Sequence, residues 1–594
     1  MTELQVSSVC AAFQATVARE PDAIALRTPG GTVEITWAQY ADRVRRIAAG
    51  LAALGVRRGD TVGLMMGNRP EFHLCDTGAM HLGAAPFSVY NTLPADQVRH
   101  VFTNAGNRVV ICEARYLDTV REAGGEVEHI FCVDGETDGV PGLDALEQGG
   151  DADFDFDAAW RSVGPDDLLT LIYTSGTTGP PKGVQLTHSN MLAQLRGAHA
   201  VLRTLPGDRL ISYLPHAHAA DRWASHYSSM AWGIQVTDLA DMSGLMAAVP
   251  EVKPTFWGGV PRVFEKIKAA LEAGFARETD EQRKAGIAWA LDVGRRKVRA
   301  EQDAIRGSGP GPDDTLLAEY AKADELVFSA VRAKLGLDEV RMSICGAAPC
   351  ALDVLEFFAA IGLPICELWG MSEMSCCGTI NPPSRAKMGT VGMPMPGVEI
   401  RRDDDGEMLC KGPVVMQGYR NDPEKTAEAL DPEGWLHTGD IVEIDDEGYI
   451  TIVDRKKELI INAAGKNMSP ANIEATLKSS HPLIGQAVVI GDRRPYNVAL
   501  VVLDPDAAAA YAAEHGLADA SPAALSKDPD VVAALDEAVA GANNELARVE
   551  QIKAFTVLGT DWEAGGDELT PTMKLKRRPI AEKYATEIDK LYAG

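Results

Sequence analysis

The sequence predicts an α/β protein with a large N-terminal domain of mixed sheets and helices and a small C-terminal α+β domain. Three observations predict this fold class. The 594 residues exceed what one hydrophobic core accommodates. Apolar patterns typical of helices and strands alternate in the first part of the chain. Amphipathic helical patterns then interrupt the alternation at about residues 263–340, which indicates a helical insertion.

The alternation of helices and strands begins near the N-terminus. Residues 37–56 carry apolar side chains at helical spacing, and the pattern stops at Gly55. A strand pattern follows at residues 61–66, and a second helical pattern covers residues 71–82. Such an order favours a sheet of largely parallel strands.

The helical insertion is predicted from two apolar stripes with steps of three, four and four residues. They are Phe264, Ile267, Leu271 and Phe275, and Tyr320, Ala323, Val327 and Val331. The Gly- and Pro-rich residues 307–314 lie between the stripes. We predict a flexible connector there, since no strand precedes it as a dinucleotide fingerprint would require.

The C-terminal domain is predicted from a change of pattern near residue 454. A strand pattern at residues 449–453 precedes the charged segment 454–457, which we predict to be a hinge. Ser469 and Pro470 have the residue types of a helix N-cap and first helical position. Strand patterns at residues 487–490 and 498–502 and helical patterns up to Gly541 follow. The predicted domains are therefore residues 1–454 and 455–594.

Composition restricts the class of protein and its partners. The 57 basic and 85 acidic residues give a formal net charge of −28, so nucleic acid is a poor candidate partner. The ten cysteines contain no C-x-x-C pair, which favours reduced, packed thiols over a zinc ribbon. Neither a secretory signal nor a membrane-spanning apolar run is visible. We expect a cytoplasmic protein and leave peripheral membrane contact open.

The most informative segment is the run Thr174-Ser-Gly-Thr-Thr-Gly-Pro-Pro-Lys-Gly183. Its glycines let backbone N–H groups approach an anion, its hydroxyls add donors, and Lys182 adds positive charge. Strand patterns flank the run, unlike an ordinary surface loop. Pro181 and Gly183 stand where a Walker A loop requires Gly and Ser or Thr. We predict a different loop for a nucleotide triphosphate, with these binding residues: Thr174, Ser175, Gly176, Thr177, Thr178, Gly179 and Lys182.

Five further segments accompany this loop in a fixed order. They are Gly346-Ala-Ala-Pro349, Glu367-Leu-Trp-Gly-Met-Ser-Glu373, Gly434-Trp-Leu-His-Thr-Gly-Asp440, Asp454-Arg-Lys-Lys-Glu-Leu-Ile460 and Pro571-Thr-Met-Lys574. Together the six segments resemble the acyl-adenylate-forming superfamily, which includes acyl-CoA synthetases, firefly luciferase-like enzymes and the adenylation domains of peptide synthetases. The resemblance extends from about residue 20 to the C-terminus. It implies an adenylate-forming N-terminal domain and a mobile C-terminal lid.

The resemblance also implies which residues act in catalysis. Lys574 reaches in from the lid to bridge the substrate carboxylate and the α-phosphate of ATP. Thr174 and Glu373 contact Mg²⁺, whose preferred ligands are oxygen atoms. His218 lines the region of the acyl carboxylate. With Lys182 of the loop, the predicted catalytic residues are Lys574, Glu373, Lys182 and His218.

Further residues match positions that bind the nucleotide and CoA. The resemblance places Trp369 against adenine and Asp440 and Arg455 at the ribose. It adds these nucleotide contacts: Gly346, Ala347, Gly370, Met371 and Ser372. Lys457 matches the hinge about which the lid rotates, and Gly465 matches the loop that faces CoA.

One histidine pair admits a second interpretation. His216 and His218, with Asp221 nearby, have the ligand types of a zinc site. No further ligand cluster is visible in the sequence, so we favour a carboxylate-lining His218. Trp223 is one residue out of register with an aromatic gate of some relatives, and we assign it no role.

The helical insertion indicates the substrate class. It follows the segment Val260-Pro-Arg-Val-Phe-Glu-Lys-Ile267 and resembles that of the larger long-chain fatty acyl-CoA synthetases. We therefore predict a long-chain fatty acid:CoA ligase that uses ATP, Mg²⁺ and coenzyme A. Two alternatives stay open: a fatty acyl-AMP ligase that loads a carrier protein, and a non-catalytic nucleotide-binding sensor.

Overall fold

A computed structural model describes residues 4–174, 180–461, 467–570 and 573–593. Two sheets of mainly parallel strands form the first half of the N-terminal part. One sheet is parallel throughout and has the order Ala85–Ser88, Thr61–Met65, Val109–Cys112 and His129–Cys132. The other has the order Glu34–Thr36, Ile24–Arg27, Gln235–Asp238 and Arg209–Ser212, with an antiparallel first pair. The predicted parallel α/β arrangement is confirmed.

Three further sheets of the N-terminal part carry the motif residues. The first has the order Phe256–Gly259, Met342–Cys345, Ile365–Trp369, Thr379–Ile380 and Met393–Pro394. The second is antiparallel, with the order Gly418–Tyr419, Lys182–Thr187 and Leu168–Thr174. The third is also antiparallel, with the order Glu399–Arg402, Glu407–Lys411, Leu436–Ile444 and Ile450–Arg455.

Helices cover these sheets. Thr36 begins the helix Trp37–Ala53 with a capping box, because its side chain accepts from the Gln39 N–H and Gln39 reciprocates. Around the sheets lie the helices Val9–Arg19, Trp37–Ala53, Pro70–Met80, Ala95–Ala105, Leu117–Ala123, Leu143–Gln148, Phe156–Arg161, His188–Leu202, Ala219–Asp221, Ser228–Trp232, Leu245–Val252, Leu352–Ala360 and Pro423–Ala429. A π-helical turn spans Arg222–Tyr227.

The predicted helical insertion is present. Its helices are Pro261–Ala276, Glu281–Ile305, Asp314–Ala323 and Ser329–Leu335, with a π-helical turn at Asp324–Phe328. The residues of both predicted apolar stripes belong to one hydrophobic core with the helix Leu352–Ala360. The Gly- and Pro-rich segment connects two helices, as predicted.

The C-terminal part is a small α+β unit. Its central sheet has the order Ile484–Ile490, Asn497–Leu503 and Ile552–Leu558, and a two-stranded sheet pairs Ile460–Ile461 with Asn467–Met468. The helices are Pro470–Ser480, Pro505–His515, Pro522–Leu525, Pro529–Glu545, Arg577–Lys583 and Ala585–Ala593. Ser469 Oγ accepts from the Asn472 N–H, which confirms the predicted helix start.

The two parts have separate cores. Two hydrophobic clusters draw all their buried residues from positions 460–588, whereas the other clusters end at Ile450. The strand Ile450–Arg455 pairs with Leu436–Ile444 of the N-terminal part and so spans the predicted boundary at 454/455. That boundary stays a prediction.

The cysteines behave as the sequence predicts. All ten are buried and unpaired, so their thiols pack as small apolar groups. Within the described ranges, the helices lack the combination of length and apolar character needed to cross a bilayer.

Candidate active site

The predicted phosphate loop is held by two antiparallel strands. Thr174 ends the strand Leu168–Thr174, Lys182 begins the strand Lys182–Thr187, and the two residues pair in register. The loop therefore starts and ends at one fixed point of the sheet. The predicted ligands Ser175, Gly176, Thr177, Thr178 and Gly179 lie outside the described residues.

Lys182 and Glu373 are joined through a tyrosine that the sequence did not indicate. The Tyr419 hydroxyl donates to Glu373 Oε1 at 2.7 Å. The Lys182 ammonium lies 4.1 Å from the centre of the Tyr419 ring, within the range of a cation–π contact. Glu373 is 7% exposed, on the turn Ser372–Met374 that follows the strand Ile365–Trp369. Tyr419 therefore orients the carboxylate and supports the lysine.

Thr174 and Glu373 carry the donor types that Mg²⁺ prefers. Tyr419 occupies Glu373 Oε1, and Oε2 has no hydrogen-bond partner among the described residues. A carboxylate oxygen and a threonine hydroxyl are hard donors, so the pair fits Mg²⁺. The assignment of these two residues to Mg²⁺ stays a prediction.

The predicted ribose contacts are paired with one another. Asp440 and Arg455 are register partners on adjacent strands, and Arg455 Nε lies 2.7 Å from Asp440 Oδ1. The Trp369 indole N–H donates to Asp440 Oδ2 at 2.7 Å. Asp440 is 3% exposed, and its burial raises the pKa of the carboxyl, opposed by the charge of Arg455. Trp369 thus orients Asp440, and its predicted contact with adenine stays a prediction.

Glycines that directly follow the strands Met342–Cys345 and Ile365–Trp369 let backbone segments approach closely. A Cβ on Gly370 would lie 1.6 Å from the Cys376 carbonyl oxygen, and one on Gly346 would lie 2.6 Å from Leu368 Cδ1. Ala347 has a φ of 72°, a left-handed conformation that is uncommon for alanine. Met371 and Ser372 continue the turn, with backbone carbonyls that accept from Met374 and Ser375.

Lys574 reaches this site from the C-terminal part. Its backbone N–H donates to Thr570 Oγ1 at 3.0 Å, and the residue is exposed. The protein around the ammonium lowers the pKa of Lys574, and the charge of Arg455 lowers it further. Asp440 and Glu373 oppose this effect and raise it. The ammonium is therefore close enough to all three groups to sense their charges.

His218 lies near Lys574 as a neutral ring. Its Nδ1 accepts from the Ala220 N–H at 3.1 Å at the start of the helix Ala219–Asp221, which places the proton of the neutral ring on Nε2. Burial, and to a smaller extent the charge of Lys574, lower the pKa of His218 to about 4. At neutral pH the ring therefore offers an N–H donor without a charge.

The predicted hinge lies between two anchored neighbours. The Lys456 N–H donates to the Gly439 carbonyl, and its ammonium donates to Glu407 Oε2 at 2.9 Å, both in the N-terminal part. Glu458 instead accepts from Arg577 of the C-terminal part at 3.1 Å. Lys457, between them, is exposed and makes no hydrogen bond or ion pair with a described residue. Gly465, the predicted CoA-facing residue, lies outside the described residues.

Two family models match this chain. One described as AMP-binding enzyme matches residues 13–420, and one described as AMP-binding enzyme C-terminal domain matches residues 457–594. Together they cover both structural parts.

Curated proteins and a solved structure resemble the chain over most of its length. The putative fatty-acid–CoA ligase fadD11 of Mycobacterium tuberculosis (strain ATCC 25618 / H37Rv) is 54% identical over 441 residues, 74% of this chain and 76% of that protein. The long-chain-fatty-acid–CoA ligase FadD15 of the same strain is 37% identical over 575 residues, 95% of this chain and 93% of that protein. The crystal structure of the anthranilate CoA ligase AuaEII with anthranoyl-AMP has a TM-score of 0.73 at 18% identity and covers 98% of this chain and 99% of that one. At that identity the structural likeness concerns the fold alone.

Proposed function

We propose, because this chain belongs to the AMP-binding enzyme family, that it is an ATP-dependent long-chain fatty acid:CoA ligase. The products are acyl-CoA, AMP and pyrophosphate. Support comes from a long-chain-fatty-acid–CoA ligase that is 37% identical over 95% of the chain. The cytoplasmic location and peripheral membrane contact stay predictions from the sequence.

The first step joins the acid to AMP. A carboxylate oxygen attacks the α-phosphorus of ATP, and the bond to the β-phosphate oxygen breaks to release pyrophosphate. Negative charge accumulates on the oxygens around the α-phosphorus, so positioned positive charge lowers the barrier. Lys574 supplies that charge next to the carboxylate, and Lys182 supplies it near the phosphates. When bound between Thr174 and Glu373, Mg²⁺ would neutralise phosphate charge further.

Neutral and buried groups position the reactants for this step. His218 Nε2–H donates to an acyl carboxylate oxygen without adding a second full charge beside Lys574. Asp440 accepts from the ribose hydroxyls, and Trp369 and Arg455 hold its two oxygens in place. Positioning of this kind accounts for much of catalysis when the protein forms no covalent bond to the substrate.

The second step requires the C-terminal part to move. The CoA sulfur attacks the acyl carbonyl, the thiol proton is released, and AMP leaves with its phosphate oxygen. Lys574 must vacate the site for the thiol to enter, and rotation at Lys457 moves the whole unit. The CoA-facing role of Gly465, which lies outside the described residues, stays a prediction from the sequence.

One observation carries the proposal. The Lys574 ammonium of the C-terminal part is close enough to Asp440 and Glu373 of the N-terminal part to sense both carboxylates. A cation delivered from a second unit to a nucleotide cleft is what acid adenylation requires.

The test is product analysis with a defined acid. The purified protein is incubated with ATP, Mg²⁺ and palmitic acid, with and without CoA, and the products are identified by mass spectrometry. We expect acyl-CoA with CoA and acyl-AMP without it. Arrest at acyl-AMP in the presence of CoA would indicate a carrier-protein ligase. Pyrophosphate release that does not depend on added acid would contradict the proposal.

The preferred chain length of the acid depends on the depth of the pocket. Each methylene buried in an apolar tunnel contributes about 0.8 kcal/mol, so eight carbons contribute roughly 6 kcal/mol of preference. A panel of acids from short to very long, assayed for AMP formation, measures this preference. We expect kcat/KM to rise with length and then to stop rising where the tunnel ends.

A further inference from the structure

Three buried side chains from distant parts of the sequence converge beside the candidate active site. His73 lies on the helix Pro70–Met80, His216 precedes the helix Ala219–Asp221, and Asp238 ends the strand Gln235–Asp238. Each is at most 2% exposed. One nitrogen or oxygen atom of each lies within 4.8 Å of the others.

Two of these side chains have an unused polar atom. His216 Nε2 and Asp238 Oδ2 are buried and have no hydrogen-bond partner among the described residues. An unpaired buried polar atom is unfavourable, and it is available to bind a ligand. The third atom, His73 Nε2, lies 3.0 Å from Asp238 Oδ1.

The protons of the cluster can be assigned from its outer partners. Asp221 Oδ2 lies 2.5 Å from His216 Nδ1 and can only accept, so Nδ1 carries the proton and Nε2 presents a lone pair. The Phe72 ring stacks on His216 at 3.7 Å between centroids, which fixes the ring orientation.

The same reasoning applies to His73. Asp76 Oδ1 accepts from His226 Nε2 at 2.8 Å, so Nδ1 of the neutral His226 ring is an acceptor. It lies 2.8 Å from His73 Nδ1, which must therefore donate. A neutral His73 ring then presents its Nε2 lone pair to Asp238 Oδ1. Either a bound cation or a second proton on His73 removes the repulsion between the lone pairs, and zinc retention separates the two.

We infer that His73 Nε2, His216 Nε2 and an Asp238 carboxylate oxygen bind one Zn²⁺ ion. Imidazole and carboxylate are zinc ligands, and a bond length of about 2.1 Å in a tetrahedron places the ligands about 3.4 Å apart. The side chains therefore need to approach by no more than about 1.4 Å. A water molecule completes the tetrahedron.

The outer partners match those of zinc sites in general. Metal-binding histidines usually donate their second N–H to a carboxylate or another acceptor, which orients the ring. Asp221 serves His216 in this way, and His226 serves His73. Two imidazoles favour zinc over magnesium, which prefers oxygen ligands and retains water.

The site differs from the zinc interpretation of the sequence in its membership. His218 is not among the three clustered side chains. The missing ligands come from Asp238 and His73, 22 and 143 residues from His216 in sequence. His216 is two residues before His218, so the ion would hold the segment that positions His218 in the cleft. The inference does not depend on the proposed function.

The test measures zinc retention by the full-length protein. The protein is treated with EDTA, incubated with excess Zn²⁺ and Mg²⁺, passed through gel filtration and analysed for zinc by mass spectrometry. We expect one zinc per chain for the unmodified protein. In Asp238→Asn and His216→Gln we expect retention to fall at least about tenfold.

His188→Gln is the matched control. His188 is also a buried histidine with an unpartnered Nε2, but it lies outside the cluster. The His188→Gln variant should retain one zinc per chain.

Co²⁺ binding to the unmodified protein provides a second measurement, which does not depend on the folding of any variant. We expect visible d–d absorption of a tetrahedral site, which Zn²⁺ abolishes.

Two results would overturn the inference. One is an unmodified protein that retains less than about a tenth of an equivalent of zinc, which would mean that the cluster holds a water molecule or an extra proton. The other is equal retention in the unmodified protein and Asp238→Asn, which would place the bound zinc elsewhere.

Discussion

At the scale of single residues, the proposed chemistry depends on the position of one ammonium group. Lys574 lies near the positive Arg455 and the negative Asp440 and Glu373. Substrate phosphates add negative charge to this group of residues, and the ammonium is already positioned to meet it. A preorganised charge stabilises a transition state without the cost of reorganisation.

Replacement of Lys574 tests this role. We expect Lys574→Ala to lower acid-dependent ATP–pyrophosphate exchange by about 10²–10³, the usual loss when a positioned donor is removed. Thioester formation from supplied acyl-AMP should change little, because Lys574 has left the site by then. Arg578→Ala is the control, since Arg578 is exposed and pairs only with Glu582 among the described residues. Equal losses in both variants would contradict the role.

The pH dependence of adenylation follows from the same residue. Its lowered pKa means that Lys574 loses its proton at a lower pH than an ordinary lysine, whose pKa is about 10.4. Because the charged form acts, the exchange rate should fall as the pH rises through that lowered pKa. In Lys574→Arg the fall should move to higher pH, since guanidinium stays charged. An identical alkaline limb in both proteins would exclude Lys574 as its origin.

The indole of Trp369 provides a third test. We expect Trp369→Phe to raise KM for ATP about tenfold with a smaller effect on kcat, because a hydrogen bond to a charged group is worth about 1.5–3 kcal/mol. Steady-state kinetics at saturating acid measure both constants. Trp562→Phe removes an indole that donates to Tyr584, within the C-terminal core, and should leave KM unchanged. If Trp369→Phe binds ATP normally, the ring does not orient Asp440.

At the scale of elements, the loop after the strand Met342–Cys345 is held by backbone conformation. Ala347 has a φ of 72°, which costs an L-residue roughly 1–2 kcal/mol. Gly346 before it packs against Leu368 without room for a side chain. The loop therefore keeps its shape because the surrounding strands determine it.

Substitutions of Ala347 test the strain in this loop. We expect Ala347→Gly to leave the melting temperature within about 2 °C, because relief of strain offsets the added freedom of the unfolded chain. Ala347→Val should lower it by several degrees, since a branched side chain fits a positive φ poorly. Ala351→Val is the control at an ordinary φ of −64°. The prediction is wrong if the two valine variants melt alike in a thermal shift assay.

At the scale of the whole molecule, charged pairs join the two parts. Arg262 pairs with Asp504, and Lys266 donates to Asp506 at 2.6 Å. Such pairs near the surface contribute about 0–1 kcal/mol each. They can therefore hold the C-terminal part in its present orientation and still release it within a catalytic cycle.

The hinge prediction concerns this release. We expect Lys457→Pro to spare acyl-AMP formation and to block thioester formation, because proline fixes the φ angle about which the unit would rotate. Single-turnover assays of the two steps measure each separately. Lys457→Gly, which keeps backbone freedom, should support both steps. Equal loss of both steps in the proline variant would refute the hinge assignment.

Local pattern accounts for much of the agreement between sequence and structure. The Ser469 cap, the stripes of the insertion and the strands around the phosphate loop depend on neighbours within a few residues, and each is where the pattern predicts it. Tyr419 was missed because it is 46 residues from Glu373 and approaches it across the edge of a sheet. No spacing rule signals such a contact.

The amino-acid sequence by itself determined the fold class and the family, and it predicted which residues face the nucleotide. Only the tertiary structure decided that Trp369 and Arg455 share Asp440, that Lys457 separates two anchored neighbours, and that His73 and Asp238 join His216. The physical reason is the separation along the sequence over which each kind of interaction acts. Helix and strand periodicity reflects interactions over a few residues, whereas the order of strands in a sheet brings together side chains more than a hundred residues apart.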